Sequence, residues 1–150
     1  EGYHVVFTGT AADGPAIALI RQGLVENRTM DLSGQTTLPQ LAKLIAQAAL
    51  VIGPDTGVLH LAKALGRPAA IIIGQGQLEM FGSDALYGAA TYFYIEALPC
   101  RDKHTVHGQC APWINTCSRS ACILPEPRCL LEVEAADVVA AVRRTLAAQR

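Results

Sequence analysis

Apolar and polar positions along the chain alternate between two periods, and the changes of period divide it into elements. A short β-branched and aromatic run from His4 to Thr8 ends at Gly9, and Asp13 to Val25 then places Ile17, Leu19, Ile20 and Leu24 at helical spacing. Met30 to Leu32 is a second extended piece that stops at Ser33-Gly34. Thr37 is placed to cap a helix bearing Leu38, Leu41, Leu44, Ile45 and Ala48 on one face, with Pro39 in its first turn where proline is tolerated. Leu50 to Gly53 predicts a third strand. Gly57 to Leu65 predicts a helix that carries Leu59, Ala62, Lys63 and Leu65 and ends at Gly66, and Pro68 to Gly74 a wholly apolar strand. Strand and helix alternate, so right-handed crossovers and a parallel sheet covered on both faces are expected. The expected class is α/β, a Rossmann-like three-layer domain with a mostly parallel sheet.

Beyond Gly74 the pattern loosens. Thr91 to Ile95 is extended, residues 98–130 form a cysteine-rich segment expected as loop, and a helix is expected over 134–148 with Val138, Val139, Val142 and Leu146 apolar. At 150 residues the chain is expected to be one domain. The start at Glu1-Gly2-Tyr3 has neither a methionine nor a signal-peptide pattern and reads as a cut before a strand, hence as part of a longer protein.

Composition sharpens this in two respects. Hydrophobic residues make up 51% of the chain but aromatics only 5%, so the core must be built from Ala, Val, Ile and Leu, the usual filling of buried parallel strands. With 12 basic against 13 acidic residues there is no field to hold a nucleic acid backbone, so nucleic acid is excluded as a partner while a single phosphate group is not. No apolar run reaches the roughly 18 to 20 residues that a membrane-spanning helix needs.

The chemistry concentrates at Val51-Ile52-Gly53-Pro54-Asp55-Thr56-Gly57-Val58-Leu59-His60. In an open parallel sheet, ligands collect where the carboxyl ends of strands lead into helix N-termini. A helix starting near Thr56 offers unpaired backbone N–H groups and a partial positive charge, and Gly57 lacks the side chain that would keep a phosphate away. The Thr56 hydroxyl adds a donor, and His60 stands one turn into the helix as a donor to a phosphate or sugar hydroxyl. The same residues admit a plainer account, with Asp55 and Thr56 as ordinary capping residues and His60 as a structural or exposed side chain.

Read together, Leu32 to Ala42, Ala49 to Ala62 and Ala64-Leu65-Gly66-Arg67-Pro68 resemble the C-terminal half of family 9 glycosyltransferases, the lipopolysaccharide heptosyltransferases. The resemblance rests on D-T-G-x-x-H-x-A at Asp55 to Ala62, preceded by G-x-T-T-L at Gly34 to Leu38. It implies one half of a GT-B enzyme, in which two Rossmann-like domains face each other and this one binds a nucleotide-diphosphate sugar, commonly ADP-heptose. It also implies that Asp55, Thr56, Gly57 and His60 face the diphosphate and sugar, that Thr36, Thr37 and Leu38 lie beside the base, and that Asp13 stands near where the family places an acidic residue for the ribose hydroxyls. A capping or exposed Asp13 is the alternative.

The implied reaction is an inverting transfer without a required cofactor, to a lipopolysaccharide core or related glycolipid acceptor. No catalytic residue is assigned within these residues. The base is expected in an N-terminal domain outside the chain, so residues 1–150 are expected to bind a nucleotide without transferring sugar. The implied location is cytoplasmic, with peripheral inner-membrane association of the full enzyme left open. Two other readings stay open, a GT-B-type nucleotide-sugar epimerase half and a non-catalytic metal-binding or interaction domain.

Two stretches depart from the family pattern. Gly74 to Gly82 replaces the Gly-Pro-Thr type of loop near the sugar, which puts donor identity in question. Cys100, Cys110, Cys117, Cys122 and Cys129 fall within thirty residues alongside His104 and His107, spaced C-x9-C-x6-C-x4-C-x6-C without paired C-x2-C knuckles. A structural zinc or iron site, unligated thiols and disulfides all remain open for them, although a cytoplasmic setting keeps thiols reduced.

Overall fold

The computed structural model describes residues 2–74, 90–95, 98, 100, 102–106, 109–117 and 122–149, the two spans 102–106 and 109–116 as backbone. The chain falls into two compact units, residues 1–44 and 45–150.

In the first unit, β1 (Val5–Phe7) pairs in parallel with β2 (Thr29–Asp31), Val5 opposite Thr29. Between them run a 3-10 turn at Ala11–Asp13, helix α1 (Gly14–Arg21) and a second 3-10 turn at Glu26–Arg28. Proline in the first turn of α1 supplies a preset φ where a backbone N–H is not needed. The helix stops at Arg21, short of the expected Val25. Of its expected apolar face only Ile17 is buried, while Leu19, Ile20 and Leu24 are exposed. The loops after the two strands meet closely. Gly34 has φ of 68° and donates its N–H to the Gly9 carbonyl, and a Cβ on it would come within 3.0 Å of Ala11, so this position requires glycine.

Helix α2 (Leu38–Gln47) begins in the first unit and ends in the second, with Ile45 buried and Leu38 exposed. In the second unit β3 (Val51–Pro54), β4 (Ala69–Ile73) and β5 (Ala90–Tyr94) form a parallel sheet in that order, with Gly53 opposite Ile71 and Ile71 opposite Tyr92. Helix α3 (Gly57–Ala64) crosses from β3 to β4 and sends Leu59 and Ala62 into the core. Central β4 is buried at Ala69, Ala70, Ile71 and Ile73, as its unbroken apolar sequence requires. Gly53 lets α3 approach β3, since a Cβ there would stand 3.0 Å from Leu59 Cδ2.

The parallel pairing is the expected one, but its continuity differs. The described ladders place β1–β2 and β3–β4–β5 in separate sheets. The stretch read as loop over 98–130 also carries regular structure. Strands β6 (Asp102–Val106) and β7 (Gln109–Thr116) pair antiparallel with a register shift between Lys103 and Thr105, and helix α4 (Arg128–Leu131) follows. Helix α5 (Ala135–Ala147) comes where expected, with Ala141 buried and Val139 exposed, and both α4 and α5 pack on β4. No helix among the described residues is long and apolar enough to cross a membrane.

Candidate functional site

Strand β3 ends at Pro54, and the chain turns through Asp55 and Thr56 into α3. The Asp55 N–H donates to the Ile72 carbonyl at 3.0 Å, so the turn is tied to the neighbouring strand before the helix begins. Thr56 is extended, at φ −143° and ψ 165°, and its carbonyl accepts the first helical bond, from the Leu59 N–H at 3.0 Å. The backbone thus places Thr56 at the N-cap, yet its side chain makes no capping hydrogen bond. The side chain of Asp55 does not cap either. Its Oδ1 lies 3.1 Å from Nε2 of His60, five residues on.

This arrangement departs from the capping account. The carboxylate is turned toward the histidine, whose Nε2–H donates to it, and Nδ1 lies on the opposite side of the ring. A ring held in this way is fixed in orientation one turn into α3. Asp55 is about 15% exposed and His60 about 36%, so the pair sits at the surface with the carboxylate shielded behind the ring.

Gly57 adds a separate observation. A Cβ built on it would meet nothing within 4 Å, and its φ lies outside the left-handed region. Neither space nor strain in the described residues calls for glycine at the first position of α3. Thr56 and Gly57 are both exposed, so the first-turn N–H groups open outward, where an anion can reach them.

The other residues singled out in the sequence belong to the first unit. The Thr37 N–H and hydroxyl both donate to Gln40 Oε1, at 2.8 and 2.9 Å, which fixes the start of α2 as the sequence suggests. Thr36 is half-buried, and Leu38, about 70% exposed, turns an apolar side chain to solvent instead of to the core. Asp13 is held locally. Oδ2 accepts from the Thr10 N–H at 2.7 Å and the Thr10 hydroxyl at 2.8 Å in a capping box. Those bonds, the hydroxyl's first, hold its carboxyl below the ordinary value of 3.8. Asp31, absent from the sequence reading, closes a turn by accepting from the Ser33 N–H at 2.9 Å, and that bond lowers its pKa in the same direction.

Sequence reasoning places Lys63 in register with the apolar face of α3 but assigns it no role. It lies one turn beyond His60 on α3 and is only 2% exposed, with Nζ donating to the Tyr92 hydroxyl on β5 and standing 5.2 Å from the ring centroid. A lysine in register with Leu59 and Ala62 was the available signal, since a buried lysine requires partners. Cys100, Cys117, Cys122 and Cys129 lie in or beside the cysteine-rich segment, and Cys110 falls in β7 opposite Thr105. Among the described residues, no group of three or more Cys, His, Asp or Glu is placed to hold a metal ion. His107 and the loop residues 75–82 lie outside the described residues.

Comparison with known proteins bears on these features. The family model described as glycosyltransferase family 9 (heptosyltransferase) matches residues 1–110. Lipooligosaccharide heptosyltransferase 2 of Haemophilus influenzae is 36% identical over 77 residues, covering 49% of this chain and 22% of that protein. Lipopolysaccharide heptosyltransferase 2 of Escherichia coli gives the same figures. Among solved structures, E. coli ADP-heptose lps heptosyltransferase II superposes with a TM-score of 0.56 at 25% identity, over 94% of this chain and 38% of that one. The glycosyl transferase family 9 structure from Veillonella parvula gives 0.69 at 16% identity, over 97% and 37%, a likeness of fold. The chain therefore spans well under half the length of the relatives it matches.

Proposed function

The chain belongs to glycosyltransferase family 9, and from that premise we propose that it carries the nucleotide-sugar site of a heptosyltransferase-like enzyme, with the diphosphate at the start of α3. The observation that carries this reading is the exposed N-terminus of α3. Its Thr56 side chain makes no cap bond, a Cβ on Gly57 would meet no described atom within 4 Å, and Asp55 is paired with His60. Each of these makes poor sense as capping and good sense as an anion seat.

In this reading the Gly57 and Val58 N–H groups and the Thr56 hydroxyl donate to the diphosphate, and His60, oriented by Asp55, donates to a phosphate oxygen or binds a sugar hydroxyl. As the glycosidic bond breaks, negative charge grows on the departing nucleoside diphosphate, and donors already aimed at it lower the barrier without a metal ion. The family resemblance assigns Thr36, Thr37 and Leu38 to the base, and the exposed Leu38 offers an apolar side chain. Asp13, its candidate for the ribose, is engaged with Thr10, which makes it the weakest member of the set. The sugar is a heptose carried on ADP, and the acceptor is a lipopolysaccharide core or related glycolipid, matching the activities named for the relatives. The base that deprotonates the acceptor comes from the length of the relatives that this chain does not match, so residues 1–150 alone bind nucleotide without turnover.

Calorimetric titration of the full chain with ADP and ADP-heptose tests the reading. Native protein binds both. Gly57→Val, whose Cβ would meet no described atom within 4 Å, weakens binding at least tenfold while leaving the unfolding midpoint close to native. Equal affinity in native and Gly57→Val protein refutes the seat at α3.

A further inference from the structure

We draw no further inference here: the strongest candidate, the apolar surface patch that Leu19, Ile20, Leu24 and Val25 leave exposed on and just after α1, carries nothing because nothing in the structure shows what covers it.

Discussion

In residues 1–44 the apolar side chains Val5, Val6, Leu19, Ile20 and Met30 stand exposed and only Ile17 is buried, whereas in residues 45–150 Leu59, Ala62, Ala69, Ala70, Ile71 and Ile73 close a core around β4. The two units draw on similar residues, and what separates them is coverage. Strand β4 has a parallel neighbour on each side and helices α3, α4 and α5 against it, while β1 and β2 form a two-stranded ladder. A sheet of two strands leaves its apolar side chains without enough surface to pack on. In the first unit, polar bonds fix the turns, through Thr10 with Asp13, Ser33 with Asp31 and Thr37 with Gln40.

The sharpest way to break this contrast is to truncate matched residues. Ile71→Ala removes a fully buried side chain, and a loss of about 2–5 kcal/mol is expected, against about 0.5 kcal/mol or less for the exposed Ile20→Ala. Denaturant titration of both variants measures it, and equal losses would erase the distinction between the units.

Next comes the pair at the start of α3. His60→Ala, made in the longer enzyme that the proposed function requires, is expected to lower sugar transfer on the order of 100-fold, the scale of losing one preorganised donor. Asp55→Asn keeps the shape but loses the charge-assisted bond and is expected to cost less, with both unfolding midpoints near native. Transfer assays alongside thermal unfolding separate this from a structural role, since a purely structural pair would lower stability and activity together.

Smaller effects are expected where polar bonds act. Gln40→Ala leaves the Thr37 N–H and hydroxyl without their acceptor, at a cost of roughly 0.5–1 kcal/mol. Acid gives the smallest. Asp13 and Asp31 are held below 3.8 in the folded chain, so the unfolded chain takes up protons first as pH falls. The stability they contribute is present above the unfolded value and is lost as pH drops below about 3.8 through the lower folded values. Asp13 is exposed and Asp31 half-buried, so only a slight shift is expected, and Asp13→Asn together with Asp31→Asn should remove it from a pH series of unfolding midpoints.

Much of the order of elements was legible in sequence. The unbroken apolar run of β4 predicts burial on both faces, and the period of α3 predicts Leu59 and Ala62 inside, as found. Periodicity reports which residues share a face, but whether anything covers that face depends on distant chain. That is why Leu19 and Ile20 were misjudged on α1, and why Leu38 lies exposed on α2. The hairpin of β6 and β7 falls in the stretch expected as loop, and a register shift between Lys103 and Thr105 interrupts its pairing.

The segment from Val51 to His60 was found from sequence alone, since a strand, a short polar turn and a helix-opening glycine are all local features, and so was the family it resembles. Tertiary structure decided how those residues are used. It turned Asp55 from the helix end to His60, left the Thr56 side chain out of the cap, buried Lys63 against Tyr92 and brought four scattered cysteines to the wall of one cavity. Sequence spacing fixes where a side chain leaves the backbone. Its partner is set by where other strands and helices come to rest, and only the folded chain holds that information.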